Sequence, residues 1–397
     1  MKRVNDIFVI LILIVFCGSF SSMKMQAKNY SPKLKANSTV EITRNWDLKG
    51  KTVVLPDGIT LNVKNGEIKN GTLVGKKTKL AGKKTNVFNK VNIEGSWNVS
   101  IISSSLFVNL SEDNALRNVM ALTDTSVRNV VTIEKGTYSI KLTKNQETGL
   151  YVRSNTTLIL NGTIRLKPNS FTNYHVVEAT GNNIVIKGTG SIVGDKDSHT
   201  GKSGEWGMGL DVARGNNVRI SGLIIKDCWG DCIYIGDKSK NVTIEKCTLI
   251  NGRRQGVSIT EASNVEIKDS KIYNIGGVEP GFAIDVETNK GTHINKVRIS
   301  GVVMHNCKGG IQVNGHAPNS SVTDVSASNC TVYGMTGPLN MVCYNSSNVM
   351  FKNNKLDKAE KKCVKFQDCS NYKIINSSRY EKTKNQRLIA PLWRIAL

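Results

Sequence analysis

The chain has 397 residues and carries 54 Lys and Arg against 31 Asp and Glu, so its formal net charge is +23. Only 6% of the residues are aromatic. Aromatic residues interleaved with basic ones, the pattern of a nucleic-acid surface, are missing, so nucleic acid is excluded as a partner. The length alone suggests two or three domains, but the repeats described below favour one long domain, because a stacked repeat has no size limit on its core.

The first 27 residues resemble a secretory signal. A basic start precedes an apolar run over residues 7–20 that is too short for a comfortable membrane span. We therefore predict that residues 1–27 are a signal peptide, that the chain has no integral membrane span, and that the mature protein is secreted, periplasmic or on the cell surface. Cys17 invites a lipoprotein interpretation, but the bulky Phe16 before it disfavours lipidation.

Residues 28–110 form a β-rich segment that leads into the repeats, either as short coils or as an adjoining β-layer. A helix is expected next. Ser111 can cap its start, and an apolar face follows at Ala115, Leu116, Val119, Met120 and Leu122.

A repeat of 23 or 24 residues organises the centre of the chain. Asn217, Asn241 and Asn264 each precede a V-x-I triplet. Short β-branched runs at a period in the twenties are typical of a stacked solenoid, which we place at residues 111–376, with a C-terminal cap or tail at 377–397. The successive coil markers are Leu158, Ile184, Val218, Val242, Val265, Val297, Val322, Val349 and Tyr372.

The cysteines indicate an inward stack of free thiols. Cys228, Cys247, Cys307 and Cys330 each fall shortly after a triplet, at the same phase of the coil. A bridge between Cys228 and Cys232 is the one exception left open, since an exported chain can hold disulfides.

No cofactor is predicted. A paired C-x-x-C and His spacing, which zinc sites use, is absent from the sequence. Asp195, Asp197 and Asp237 are candidate Ca²⁺ ligands, although their spacing does not require a site.

Two coils carry extra residues, which must leave the solenoid as loops. The first loop spans residues 194–208, and the second comprises residues 274–282 and 287–296. Both enter the same row of strands, so we predict that they form the walls of a groove.

Alternation along that row of strands predicts which side chains point outward. The inward pairs are Leu210/Val212, Ile233/Ile235, Val257/Ile259, Ile284/Val286 and Ile311/Val313. The residues between them, which should line the groove, are Asp211, Tyr234, Ser258, Asp285 and Gln312. Asp231 and Gln255 enter neighbouring strands, and Glu287 lies just past the pair Ile284/Val286.

One segment resembles a known family. It reads WGDCIYIGDKSKNVTIEKCTLINGRRQGVSIT and is similar to the G-D-D-C-I-A-I … N-V-x-I-x-N-C … G-H-G-x-S-I stretch of polygalacturonases and related pectin-active enzymes. Asp231 matches the second Asp, whereas Gly230 replaces the first and Gln255 replaces the His. The N-T-D and R-I-K motifs of those enzymes are not found.

The resemblance implies an all-β, right-handed parallel β-helix of the pectate-lyase-like superfamily, active on carbohydrate. The segment after Ser111 is similar to the N-terminal capping helix of that superfamily, which covers the open end of the core.

The chemistry is predicted from the groove. Inverting hydrolysis needs two carboxyl groups about 6.5–9.5 Å apart, and residues two coils apart are separated by about 9.6 Å. We therefore expect Asp231 to act as acid and Asp285 or Glu287 as base. Arg253 and Arg254 are candidates to hold a substrate carboxylate or sulfate.

Other side chains are candidate substrate contacts. Tyr234 is placed to protonate a leaving group, and Trp206 and Trp229 offer faces for sugar stacking. The remaining candidates, on the first loop or along the groove, are His199, Glu205, Asp211 and Gln312.

The predicted partner is an anionic polysaccharide, and the chain is expected to be a monomer. The positive charge fits attraction to such a polymer, or simply a Lys-rich soluble surface. Two alternatives to hydrolysis remain: cleavage by β-elimination, as in a polysaccharide lyase, and a non-catalytic carbohydrate-binding or adhesive solenoid. Asp231 as a turn cap and the arginines as surface ion pairs would fit the non-catalytic alternative.

Overall fold

The computed structural model describes residues 30–108, 110, 113, 115–358 and 363–379. The predicted signal segment 1–27 with Cys17, the predicted helix start at Ser111 and residues 380–397 of the predicted tail lie outside the described residues.

The segment before the helix consists of short parallel coils. Its register pairs residues 19 to 22 positions apart, as in Thr39 opposite Thr60 and Ile68 opposite Phe88. Its core includes Trp97 and Phe88, which are fully buried. A 3-10 helix, Ser104–Leu106, precedes the last of its strands. The strands are β1 (Thr39–Ile42), β2 (Trp46–Asp47), β3 (Thr52–Val54), β4 (Thr60–Val63), β5 (Ile68–Gly82), β6 (Phe88–Trp97), β7 (Ile101–Ser103) and β8 (Phe107–Val108).

A short helix, α1 (Leu116–Met120), follows. Its buried side chains are Leu116, Val119 and Met120, three members of the predicted apolar face. Arg117 donates hydrogen bonds to the carbonyl oxygens of Gly149 and Thr148, which fixes the helix to the first coil of the main solenoid. Because parallel strands lie on both sides of α1 in the chain, its role as a cap over an open end stays a prediction.

The main solenoid is built from parallel strands on three faces. The strands of its first half are β9 (Asn129–Ile133), β10 (Thr137–Ile140), β11 (Thr148–Arg153), β12 (Thr156–Leu160), β13 (Thr163–Leu166), β14 (Asn173–Lys187), β15 (Ser191–Val193), β16 (Trp206–Ser221), β17 (Ile224–Lys226), β18 (Ile233–Gly236), β19 (Ser239–Glu245), β20 (Thr248–Ile250), β21 (Val257–Ile259) and β22 (Ala262–Lys268). A 3-10 helix, Lys196–Ser198, lies in the first loop.

The second half continues the same pattern. Its strands are β23 (Lys271–Tyr273), β24 (Phe282–Glu287), β25 (His293–Ser300), β26 (Val303–His305), β27 (Gly309–Asn314), β28 (Ser321–Ser328), β29 (Thr331–Tyr333), β30 (Met341–Tyr344), β31 (Ser346–Lys352), β32 (Lys355–Leu356), β33 (Val364–Gln367), β34 (Ser370–Ile375) and β35 (Ser378–Arg379).

Each coil contributes one strand to each face. Face A contains β11, β18, β21, β24, β27, β30 and β33; face B contains β7, β9, β12, β19, β22, β25, β28, β31 and β34; face C contains β10, β13, β15, β17, β20, β23, β26, β29, β32 and β35. The long strands β14 and β16 bend across the corner, so that their first halves belong to face A and their second halves to face B. The predicted all-β solenoid is confirmed.

The predicted inward pairs stack in register along face A. Leu210 lies opposite Ile233, then come Val257, Ile284 and Ile311, all without exposed surface. Burying a side chain of this size contributes about 1.5–3 kcal/mol relative to leaving it exposed. Because each coil supplies the same positions, this column of side chains is the continuous core that a single coil lacks.

Two predicted coil markers are wrong: Leu158, which lies opposite Ile186 rather than Ile184, by two residues, and Val322 by three. On face B, Val297 lies opposite Val325, and Val325 opposite Val349, whereas Val322 lies opposite Ile294. The residue before Val325 has a left-handed backbone (φ 60°), as do the residues before the markers that keep the register, Ile184, Val218, Val242, Val265, Val297, Val349 and Tyr372. Val322 and Val325 both fit the apolar pattern of the sequence, and the left-handed turn places Val325 at the marker position.

The predicted burial of the thiols is confirmed, but the prediction of one stack at the same phase of the coil is wrong. Cys228 and Cys307 follow strands of face C, whereas Cys247 and Cys330 follow strands of face B. Cys228, Cys247, Cys307 and Cys330 are buried and free, and Cys228 is not bridged to Cys232. None of the helices in the described ranges is long and apolar enough to cross a membrane.

Candidate functional site

Face A presents a continuous row of polar side chains. The residues between the inward pairs face each other across adjacent coils in the order Glu178, Asp211, Tyr234, Ser258, Asp285 and Gln312. We call this row, together with Asp231, Arg254 and Glu287 beside it, the face A trough. Most of its members are buried, although their side chains point away from the core.

Asp231 is the centre of a hydrogen-bond network. Its Oδ1 accepts from the Gln255 backbone N–H at 3.1 Å, and its Oδ2 accepts from the Ser258 hydroxyl at 2.7 Å and from Arg254 Nη1 at 3.1 Å. Burial raises the pKa of Asp231, against the opposing effect of the Arg254 charge. The residue has 0% exposed surface. In this conformation Asp231 cannot touch a substrate, so its geometry favours positioning Arg254 over the predicted role of acid.

Asp285 lies between two glutamines. Gln255 Nε2 donates to its Oδ2 at 2.7 Å, and Gln312 Nε2 donates to its Oδ1 at 3.1 Å. The orientation of Gln255 is fixed because its Oε1 accepts the Phe282 backbone N–H at 2.7 Å. Burial, reinforced by the charge of Glu287, raises the pKa of Asp285 well above its ordinary value. A carboxyl group in this setting holds its proton and can act as an acid.

Glu287 is the more accessible carboxylate of β24. Its side chain is 25% exposed, and its Oε1 accepts from Asn314 Nδ2 at 3.0 Å. Asp285 and Glu287 are two residues apart on one strand, so they share a face and their Cα atoms are separated by about 6.6 Å.

Tyr234 stands between the two ends of the trough. Thr260 Oγ1 donates to its phenolic oxygen at 2.8 Å, which leaves the phenolic hydrogen directed to another acceptor. Burial raises the pKa of Tyr234, so the hydroxyl stays protonated. It can donate a hydrogen bond to a ligand and is a poor base.

The first loop packs against the trough more tightly than predicted. The His199 side chain is fully buried, with Nδ1 2.9 Å from Asp195 Oδ2, and its ring stacks on Trp229 at 4.0 Å between centroids. The Arg253 guanidinium lies 3.7 Å from the same Trp229 ring and donates to the carbonyl oxygens of Gly204 and Trp229. His199, Trp229 and Arg253 therefore hold the loop in place. Their role as substrate contacts stays a prediction, and the His199 side chain is covered in this conformation.

Three of the predicted substrate contacts, Trp206, Glu205 and Arg254, keep some exposed surface beside the trough. Trp206 is 50% exposed. Arg254 forms an ion pair with Glu205 at 3.5 Å as well as with Asp231, and its side chain is 16% exposed. Gln312 is engaged by Asp285. Asp231, Arg254 and Asp285 therefore lie on the same side of the solenoid, as predicted, and hydrogen bonds through Gln255 link them.

A second cluster of titratable groups was missed by the sequence interpretation. His175 Nδ1 lies 3.4 Å from Glu178 Oε2, and His175 Nε2 lies 3.6 Å from Asp211 Oδ2. Burial raises the pKa of Asp211 to about 7. The pKa of Glu178 is lowered, because hydrogen bonds from His175 and Thr148 outweigh the effect of its burial. Extending the inward pairs one coil toward the N-terminus, to Val177 and Ala179, would have identified Glu178.

The candidate Ca²⁺ ligands do not converge. Asp195 is engaged by Tyr174, His199 and Asn169, and Asp237 pairs with Arg214. Within the described residues, the group of three or more side chains placed to share a metal ion is instead His175, Glu178 and Asp211.

Comparisons with known proteins give one family match and several distant relatives. Residues 162–327 match the model of the right handed beta helix region. Two Bacillus subtilis (strain 168) proteins, the SPbeta prophage-derived uncharacterized protein YorA and the uncharacterized protein YclG, are each 30% identical, over 189 and 182 residues. These alignments span 40% and 38% of this chain and only 32% and 31% of the relatives, so the chain spans about a third of the length of either one.

Solved structures also align at low identity. The polygalacturonase from Erwinia carotovora aligns at 12% identity over 71% of this chain and 94% of that one, with a TM-score of 0.47. The Streptococcus pneumoniae surface adhesin PfbA aligns at 13% identity over 86% of this chain and 85% of that one, with a TM-score of 0.45. The three parallel faces and the family match together show a right-handed parallel β-helix, with the matched region over residues 162–327.

Proposed function

We propose that the face A trough hydrolyses glycosidic bonds in an anionic polysaccharide. The observation that supports this most directly is the pair of outward carboxyl groups on β24, one buried with a raised pKa and one partly exposed. Two carboxyl groups in different environments are the requirement of acid/base glycoside hydrolysis. The predicted signal segment is in keeping with a substrate outside the cell, and a monomer suffices because both groups lie on one strand.

The proposed roles follow from accessibility and protonation. Asp285 donates its proton to the glycosidic oxygen as the bond to the anomeric carbon breaks. Glu287 removes a proton from the water that attacks that carbon. At the end of the step Asp285 has lost one proton and Glu287 has gained one. Arg254, held by Asp231 and Glu205, supplies positive charge beside the bound sugar. This assignment moves the acid from Asp231 to Asp285, because the Arg254 charge opposes protonation of Asp231, whereas burial and the Glu287 charge both raise the pKa of Asp285.

Lyase chemistry is less well supported by the same geometry. β-Elimination needs a base to remove the proton next to a substrate carboxylate. Tyr234 is protonated, and Arg254 is engaged by two carboxylates, so neither is a suitable base.

A non-catalytic binding surface is the second candidate function. The hydrogen bonds to Asp231 and Asp285 hold both carboxyl groups rigidly, as a preorganised carbohydrate-binding surface would require. The exposed Trp206 at the rim offers a stacking face for a sugar under either function.

Assays on a panel of purified polysaccharides test these functions together. Hydrolysis predicts new reducing ends without an ultraviolet-absorbing unsaturated product, and Asp285→Asn or Glu287→Gln should each lower kcat by about 10²–10⁴-fold. Asp324→Asn, which changes an exposed carboxylate on face B, is the matched control and should retain activity. Unsaturated products would establish a lyase. Binding without any cleavage, unchanged in both trough variants, would establish the non-catalytic surface.

A further inference from the structure

The cluster of His175, Glu178 and Asp211 lies at the N-terminal end of the face A trough. Glu178 and Asp211 are directly opposite in adjacent coils, and His175 precedes Glu178 on β14. One nitrogen of the imidazole and one oxygen of each carboxylate all lie within 4.8 Å of one another. Three coils separate Asp211 from Asp285, or about 14 Å at the usual strand spacing. The cluster is therefore separate from the proposed acid/base pair.

An orphaned oxygen indicates that the cluster is incomplete. Asp211 is 4% exposed, and its Oδ1 is buried without a hydrogen-bond partner among the described residues. A buried polar atom without a partner costs free energy, and native proteins rarely leave one. Pairing with His175 does not resolve this cost, because the imidazole faces the other oxygen, Oδ2.

We propose that His175, Glu178 and Asp211 bind one divalent transition-metal ion of the Zn²⁺ class. An imidazole suits zinc and its neighbours, and carboxylates complete such a site when the ion is of borderline softness. Purely oxygen-liganded Ca²⁺ or Mg²⁺ would not use the imidazole. Coordination through Oδ1, or through both oxygens of Asp211, would give the orphaned oxygen a partner, which a proton on His175 does not.

The geometry needs only a small adjustment to hold the ion. Metal–ligand bonds of about 2.0–2.2 Å place neighbouring ligand atoms about 3.4 Å apart in a tetrahedral site. The separations around His175 start from different nitrogens, 3.4 Å from Nδ1 to Glu178 Oε2 and 3.6 Å from Nε2 to Asp211 Oδ2. Rotation of the imidazole or of one carboxylate therefore has to bring one nitrogen and both carboxylates, now within 4.8 Å of one another, to a common centre. Thr148 Oγ1 donates to Glu178 Oε2 at 3.0 Å, an orienting contact of the kind that supports metal ligands.

The site would keep one position open to the trough. The His175 side chain is 25% exposed, while the two carboxylates are nearly covered. Three protein ligands with a fourth position open to water or ligand is the arrangement of reactive rather than purely structural zinc sites.

A competition titration with a chromophoric chelator tests the proposal on the whole chain. Zn²⁺ should bind at one equivalent, and His175→Ala or Asp211→Asn should each weaken binding at least about 100-fold, since both remove a direct ligand. His293→Ala removes an exposed imidazole on face B and should bind like the wild type. Asp211→Asn keeps the shape of the side chain, and a thermal melt verifies that each variant is folded.

Two further measurements make the test specific. The Sγ atoms of Cys343 and Cys369 are 2.9 Å apart, and Cys369 is partly exposed, so Cys369→Ser removes a competing thiol site. The Co²⁺-loaded protein should show the weak visible bands of a nitrogen/oxygen site and no thiolate charge-transfer band. Four results would each overturn the proposal. They are no saturable binding by the wild type, wild-type affinity in His175→Ala and Asp211→Asn, loss of binding in Cys369→Ser, and preference for Ca²⁺ over Zn²⁺.

Discussion

Removing a single carboxyl group at Asp231 affects three partners at once. Arg254, Ser258 and the Gln255 backbone all donate to it, and the residue has no exposed surface. We expect Asp231→Ala to lower the free energy of unfolding by about 3 kcal/mol, because it leaves a nearly buried guanidinium without its main partner. The shift of the urea unfolding midpoint measures this effect.

The matched control is Asp324→Ala, which removes an exposed ion pair with Arg298 on face B. An exposed pair contributes about 0–1 kcal/mol. Similar losses for the two variants would show that Asp231 is an ordinary surface charge rather than the anchor of Arg254.

Protonation of Asp285 should make stability depend on pH. The folded protein holds the proton of Asp285 because its pKa is raised, whereas the unfolded chain releases it near the ordinary value of about 3.9. The folded state therefore binds more protons above about pH 4, and the contribution of Asp285 to stability falls as pH rises through the window between the two pKa values.

Asp285→Asn has no proton to release, so its urea midpoint should decline less steeply than that of the wild type over this window. Measurements at several pH values from about 4 upward compare the two slopes. Parallel curves for the wild type and Asp285→Asn would mean that Asp285 titrates alike in both states.

At the scale of the elements, asparagine explains how several coils turn into face B, while Lys296 and Asp324 hold the same left-handed position in two others. Asn241 and Asn264, which the sequence pattern singles out, have left-handed backbones with φ near 55°. Their side chains also form a ladder: Asn264 Nδ2 donates to Asn241 Oδ1 at 2.7 Å, and Asn241 Nδ2 donates to Asn216 Oδ1 at 2.9 Å. Asparagine thus serves both the turn and the stacking of coils.

Two substitutions at Asn241 separate these contributions. Asn241→Gly keeps access to the left-handed backbone and loses only two exposed hydrogen bonds, for about 1 kcal/mol in total. Asn241→Ala also has to place a Cβ in the left-handed region, which adds about 1 kcal/mol. We expect the alanine variant to unfold at lower urea than the glycine variant, and the reverse order would contradict the turn requirement.

The elements were predictable where side chains alternate and less so where turns decide. Ile233/Ile235 and Ile284/Val286 were placed in the core by their period of two alone. Val322 was chosen over Val325 because periodicity cannot distinguish two apolar residues when the turn before them sets the register. Contacts between loop and strand are not periodic, so burial of His199 under Trp229 had no signal in the sequence.

At the scale of the whole molecule, the charge of +23 should govern how a polymer is captured. We expect Kd for a polyuronate to rise by at least about tenfold between 0.01 and 0.15 M salt, as the screening length shortens from about 30 to 8 Å. Titration calorimetry at the two salt concentrations measures this change.

A neutral glycan of matched length is the control, and its affinity should respond little to salt. Equal salt responses for the charged and neutral polymers would show that the positive charge serves solubility rather than capture.

The candidate site was predictable as a location and less so as chemistry. Stacking alone placed Asp211, Tyr234 and Asp285 in one row, because parallel coils in register repeat each position. The covering of Asp231 depends on Arg254 and on the loop that carries Glu205, which no alternation rule describes. Glu178 and His175 were not predicted as site residues, because the inward pairs were traced from Leu210 onward and not from the preceding coil.

The stacking of coils also makes distance along the trough a discrete quantity. Any two groups at the same position of different coils on face A are separated by a whole number of steps of about 4.8 Å. Duplication of one coil would therefore lengthen the face A trough between Asp211 and Asp285 without changing the contacts at either end. A binding surface with this fixed spacing would select polymers whose own repeat length matches the spacing of the coils.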